Sequence, residues 1–161
     1  MRGSQRNTYD VDVAIGCEMV QLIEALKTQP RVLRPSGPVS GVMRVFVRTG
    51  GNLGAPDDPR TASETLNVST NLGPRQYTML NVAWITSSKL GAFFARGSKT
   101  DFDDVVFLVQ NFPEAVVAAR PQLSGTHRQY FVREYSGTYP GPANAARVKR
   151  VKHVLGVLVD V

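Results

Sequence analysis

The stretch ARVKRVKHVLGVLVDV (146–161) decides how the chain is read, because it joins the longest strand-like run to the densest basic cluster. With a period of two, Val151, Leu155, Val157, Val159 and Val161 share one face, while Arg150, Lys152, Val154, Leu158 and Asp160 share the other. The second half is apolar on nearly both sides, as in a strand at the centre of a sheet. In the first half Arg147, Lys149, Arg150, Lys152 and His153 put cations on both faces, so this end must leave the core and meet solvent or an anion. One element is thus expected both to anchor a sheet and to present charge.

Working outward, His127–Tyr135 alternates in the same way, with Gln129, Phe131, Arg133 and Tyr135 against Arg128, Tyr130, Val132 and Glu134. Tyr77–Ile85 (YTMLNVAWI) is apolar on both faces and reads as a strand inside a packed sheet. Val105–Val109 is an unbroken apolar run, and Leu90–Ala95, Thr65–Ser69, Val42–Arg48 and Thr8–Gly16 add shorter strands. Helical spacing occurs at Met19, Leu22, Ile23 and Leu26, which predicts a helix over Glu18–Thr28 before Pro30. Asn111–Ala119 admits two readings, a short helix with Pro113 at its first position or a loop followed by a strand. The connections, Pro30–Gly41 and TGGNLGAPDDPR (49–60) above all, are rich in Gly and Pro. About eight strands with one or two short helices predict a mainly β fold, an antiparallel β-sandwich or jelly roll. We expect a short N-terminal arm over residues 1–7 and a single domain over 8–161.

The chain has 161 residues and a formal net charge of +6, and the placement of that charge is informative. Residues 115–159 carry seven Lys or Arg against Glu134 alone, while the remainder carries twelve cations and twelve anions. A basic surface confined to one third of a chain reads either as the electrostatic footprint of a polyanion partner or as a solvated, soluble face. Arg128, Arg133, Arg147, Lys149, Arg150 and Lys152, joined by Arg2 and Arg6 of the arm, are the candidate phosphate contacts. Tyr130 or Phe131 is placed to stack on an unpaired base. The lone Cys17 excludes an internal disulfide, and no run reaches the ~18 apolar residues of a membrane span.

Enzyme chemistry finds no footing. There is no Gly-x-Ser-x-Gly elbow and no His-Glu-x-x-His pair, and the two histidines include His153, which sits among cations that make it a poor base. Asp101, Asp103 and Asp104 form the tightest acidic group, readable as oxygen ligands for calcium or as a solvated turn. No other cofactor is expected.

In length, strand number, Gly/Pro loops and polyanion-facing charge the chain resembles the small single-jelly-roll coat proteins of satellite viruses, at the level of architecture and without a residue motif. The resemblance implies self-assembly of about sixty copies into an icosahedral shell around single-stranded RNA, location in the virion with assembly in the host cytoplasm, and no membrane partner. Such coats commonly carry an Arg/Lys-rich arm. Here only Arg2 and Arg6 stand in the corresponding region, so the folded part would have to supply the RNA contacts. Two other readings use the same basic third: a nucleic-acid-binding module that does not assemble, and a matrix-type protein lying on an anionic membrane.

Overall fold

The structure is a computed structural model, described for residues 19–27, 58, 60–70 and 73–157. These fall into two units. One contains helix α1 (Met19–Lys27) with residues 58, 60 and 61, and the other runs from residue 62 to 157. α1 meets the helix expected from the spacing of Met19, Leu22, Ile23 and Leu26. The second unit carries the basic third of the chain.

The larger unit opens with a hairpin of β1 (Ser63–Thr70) and β2 (Gly73–Leu80), paired antiparallel from Ser63↔Leu80 to Thr70↔Gly73. It is the one sheet among the described residues. Beyond it, residues that look like turn formers are helix ends. The Asn81 side chain accepts from the Trp84 N–H at 3.0 Å and starts α2 (Val82–Arg96). Gly97, at φ 62°, closes that helix by donating its N–H to the Phe93 carbonyl. Ser98 then accepts from the Thr100 N–H to cap α3 (Lys99–Asn111). Pro113 occupies the first turn of α4 (Pro113–Ala119), followed by a 3₁₀ turn over Arg120–Gln122. Ser124 caps α5 (Gly125–Thr138), and a second 3₁₀ turn, Pro142–Asn144, leads into α6 (Ala145–Leu155).

The expected β-sandwich is therefore wrong: among the described residues the chain forms six α-helices and one two-stranded sheet. Leu90–Ala95, Val105–Val109, His127–Tyr135 and most of 146–161 were each expected as strands, and lie in α2, α3, α5 and α6. Tyr77–Ile85 is divided by Asn81 into the end of β2 and the start of α2, and Tyr77 is 48% exposed rather than interior. Thr65–Ser69 does form a strand, and of the two readings of Asn111–Ala119 the helix with Pro113 at its start is the one found. Thr8–Gly16 and Val42–Arg48 lie outside the described residues.

The physical reason is visible in the burial. Val82, Thr86, Leu90 and Phe93 of α2 are buried at spacings of three and four, as are Phe102, Val105, Leu108 and Val109 of α3. In α6 Val151, Val154 and Leu155 do the same. Over fewer than a dozen residues a mixed apolar run satisfies both periods, and β-branched residues carry only a weak bias against helix once one face is packed. The core these stripes build is aromatic at its centre. Phe93, Phe102 and Phe131 lie with ring centroids 5.2–5.6 Å apart, and Tyr135 stacks on Phe102 at 5.7 Å. α2 packs on α3, α4 and α5, and α6 closes the unit against α3, α4 and α5.

Candidate nucleic-acid interface

The candidate interface is built on α6, and the C-terminal end of that helix shows why it is held firmly. A helix leaves its last four carbonyls without partners. Here Gly156, at φ 64°, donates to the His153 carbonyl at 3.0 Å, and Val157 donates to Lys152 at 2.9 Å, the Schellman arrangement. Two arginines from other elements supply the rest. Arg120 donates through Nε to the Val154 carbonyl at 3.1 Å and through Nη2 to that of His153. Arg128 donates through Nη1 to Leu155 at 2.6 Å and to Gly156 at 3.3 Å. Every carbonyl from residue 152 to 156 thus has a donor, and both guanidiniums lie at the negative end of the helix dipole.

The face of α6 turned away from the core carries Lys149, Arg150 and His153, all exposed, with the half-exposed Lys152 beside them. The helix has no acidic residue. Among the described residues neither Lys149 nor Arg150 forms an ion pair. Arg147, in the first turn, folds back over α5, its Cζ 4.1 Å from the Tyr139 ring centroid and 5.6 Å from that of Tyr135. No side chain caps the start of α6; the Asn144 side-chain amide donates to the Pro140 carbonyl. A cation at an uncapped helix N-terminus works against the dipole, so this corner is strongly electropositive.

Arg147 and Arg150 border a cavity of about 440 Å³ lined also by Val109, Gln110, Tyr135, Ala146 and Val151. Its walls come from α3, α5 and α6. Tyr135 is fully buried, and its hydroxyl has no hydrogen bond of good geometry. Burial pushes that hydroxyl above its ordinary value, and the neighbouring Arg147 guanidinium opposes the shift.

The expected phosphate contacts separate into different roles. Arg147, Lys149, Arg150 and Lys152 share α6 and its approaches. Arg128 does not belong with them, since its guanidinium is spent on the α6 carbonyls. Arg133 is exposed on α5, paired with Glu134 at 3.1 Å and 5.0 Å above the Tyr130 ring. Of the two aromatics expected to stack on a base, Phe131 is fully buried, whereas Tyr130 is half-buried against Phe93 and Phe94. Arg2 and Arg6 lie outside the described residues.

The three aspartates are not drawn into one chelating group; each is given a cation. Asp101, 2% exposed, takes a bidentate contact from Arg96 at 2.8–3.1 Å and ties the end of α2 to the start of α3. Asp104 meets Lys89 at 2.8 Å and Asp103 meets Lys99 at 2.6 Å. Among the described residues no group of three His, Cys, Asp or Glu side chains could hold a metal ion. Likewise no described helix is long and apolar enough to cross a membrane.

Val109, Gln110, Tyr135 and Tyr139 went unnoticed in the strand reading. A helical reading would have found Tyr135 in the last turns of α5 with Tyr139 just past its end, and Arg147, Arg150 and Val151 together on α6. Comparison with protein-family models, with curated proteins and with solved structures finds no match.

Proposed function

We propose that the larger unit binds single-stranded RNA along α6, as a nucleic-acid-binding module. The observation that carries this reading is a helix with five basic residues and no acid, whose Lys149, Arg150 and His153 face solvent on a clamped frame. Guanidinium and ammonium groups held on a rigid element neutralise phosphates without ordering long loops, and the release of counterions drives binding. The shell-forming expectation rested on length, strand number, Gly/Pro loops and polyanion-facing charge; the helical fold removes the strand number and the sandwich, so assembly is not part of the proposal. A membrane-surface role is less well served by this geometry. Insertion of α6 is excluded because Val151, Val154 and Leu155 are packed in the core, and a purely electrostatic membrane contact predicts salt-reversible binding to acidic vesicles.

The test is fluorescence anisotropy with a labelled single-stranded RNA of about twenty nucleotides, site sizes being of order 4–16. Lys149→Gln combined with Arg150→Gln is expected to weaken binding about tenfold at low salt, with helicity and unfolding midpoint unchanged. Equal affinity for the double variant and the original chain would remove α6 as the binding element.

A further inference from the structure

We infer that the open edge of β1 pairs with β1 of a second copy of the chain, antiparallel about a two-fold axis at Asn67, joining two hairpins into one four-stranded sheet. The inference is independent of the RNA-binding reading.

The hairpin is tied down at its base, where Ala62 is buried and the Asn81 N–H donates to the Ala62 carbonyl at 2.8 Å. Farther out it stands exposed. Of residues 65–69 and 74–78 only Leu66 is half-buried, and Val68 and Tyr77 are 39% and 48% exposed. Among the described residues no helix packs broadly on either strand. A lone two-stranded hairpin is marginal in water, and further strands beside an apolar face are what make one durable. Such a face is present here. Leu66 lies opposite Tyr77 and Val68 opposite Arg75 on one side, while Thr65, Asn67, Ser69, Gln76 and Thr78 make the other side polar.

The two edges of the hairpin differ. Pro74, opposite Ser69, has no N–H to give, so theirs is a non-hydrogen-bonded pair, and by alternation Asn67↔Gln76 and Thr65↔Thr78 are of the same type. Thr65, Asn67 and Ser69 therefore turn their N–H and C=O groups to the outer edge of β1, where no other described strand meets them. In the matching row of β2, Pro74 leaves a missing donor, and the charge of Arg75 stands beside it. Proline and charge protect an edge, and residues 65–69 have neither.

A second copy fits because β1 complements itself. Centred on Asn67, an antiparallel pairing makes hydrogen-bonded pairs of Thr65 with Ser69, Asn67 with Asn67 and Ser69 with Thr65. Leu66 then lies beside Val68 of the second copy, twice over, so each row on the apolar face runs Tyr77, Leu66, Val68, Arg75 across the four strands. A one-residue slip would set these apolar side chains against polar ones. Residues 63–80 carry one acid, Glu64, and one base, Arg75, so no excess of like charge holds the two edges apart.

Sedimentation equilibrium of the full chain, from low micromolar to near millimolar concentration, is the test. A species of two chains is expected to form over this range. Asn67→Pro removes an N–H that the hairpin itself does not use, and Asn67→Asp sets two carboxylates against each other on the axis. Each should weaken dimerisation about tenfold or more while leaving helicity unchanged. High salt should restore part of the affinity of the Asp variant and none of that of the Pro variant. A chain that stays single at every concentration overturns the inference, and so does a dimer that neither variant weakens. RNA binding through Lys149 and Arg150 is untouched by either result.

Discussion

Gly156 occupies a position that no other residue fills comfortably. Its φ of 64° is left-handed, and a Cβ built there would lie 3.0 Å from Arg120 Cδ and 3.2 Å from Arg128 Nη1. Gly156→Ala therefore strains the backbone and obliges both arginine side chains, which donate to the last α6 carbonyls, to give way by a few tenths of an ångström. A loss of about 2–3 kcal/mol is expected, read as a lower urea midpoint with an unchanged slope. Tyr135 is the opposite case, a fully buried phenol whose hydroxyl lies beside the Arg147 guanidinium without a hydrogen bond of good geometry. Tyr135→Phe should be neutral or stabilising by about 1 kcal/mol near pH 8. Its folded value lies above the ordinary 10.0, because burial disfavours the phenolate. The stability held by that proton is complete below pH 10 and is lost as pH rises through the folded value, since the unfolded chain releases its proton first. Urea midpoints at about pH 8 and about pH 10.5 should accordingly diverge more for the original chain than for Tyr135→Phe. At this scale the sequence was partly legible. Lys149 and Arg150 are exposed, as expected of cations in a stretch that must meet solvent or an anion. Arg128 could not be read, because its carbonyl partners at 155 and 156 come beside it only in the folded chain.

Among the elements, α6 and α5 differ in how their cations are used. The α5 cation Arg128 is a structural donor, whereas Lys149 and Arg150 of α6 look outward. Arg128→Met keeps most of the stem packing and removes the donors, leaving the Leu155 and Gly156 carbonyls without their partners. It should cost about 1–3 kcal/mol and speed amide exchange in the last turn of α6, while changing RNA affinity by no more than about twofold. A loss of affinity as large as that of the Lys149→Gln, Arg150→Gln variant, without faster exchange, would return Arg128 to the binding surface. The strand reading failed here for an identifiable reason. Ser98, Ser124, Gly97 and Gly156 are as compatible with hairpin turns as with helix caps when taken singly. What distinguishes them is the length of the segment between, 13 residues in α3 and 14 in α5, too long for an ordinary strand.

For the whole molecule, the expected behaviour is that of a polyelectrolyte contact of modest size. If Arg147, Lys149 and Arg150 each neutralise one phosphate of a single strand, log affinity should fall with log salt at a slope of about −2. A slope near zero would mean that the contact is not to phosphates. Light scattering with absorbance at two wavelengths on the same peak bears on assembly: one or two chains accord with the module, and a megadalton particle carrying RNA would restore the shell.

The amino-acid sequence by itself determined the asymmetry of charge, the exclusion of a disulfide within these 161 residues, the helix at Met19–Lys27, the strand around Thr65–Ser69 and the solvent-facing cations of residues 147–152. Those follow from composition and from short periodic patterns, which are local. Tertiary structure alone decided that the apolar runs after residue 80 are helices, that Asp101 is a buried clamp for Arg96, and that Arg120 and Arg128 finish α6. It also brought Tyr135, Arg147 and Arg150 around one cavity. Each of these depends on contacts between residues distant along the chain, and a short apolar segment has no preference strong enough to declare its partners before the core forms.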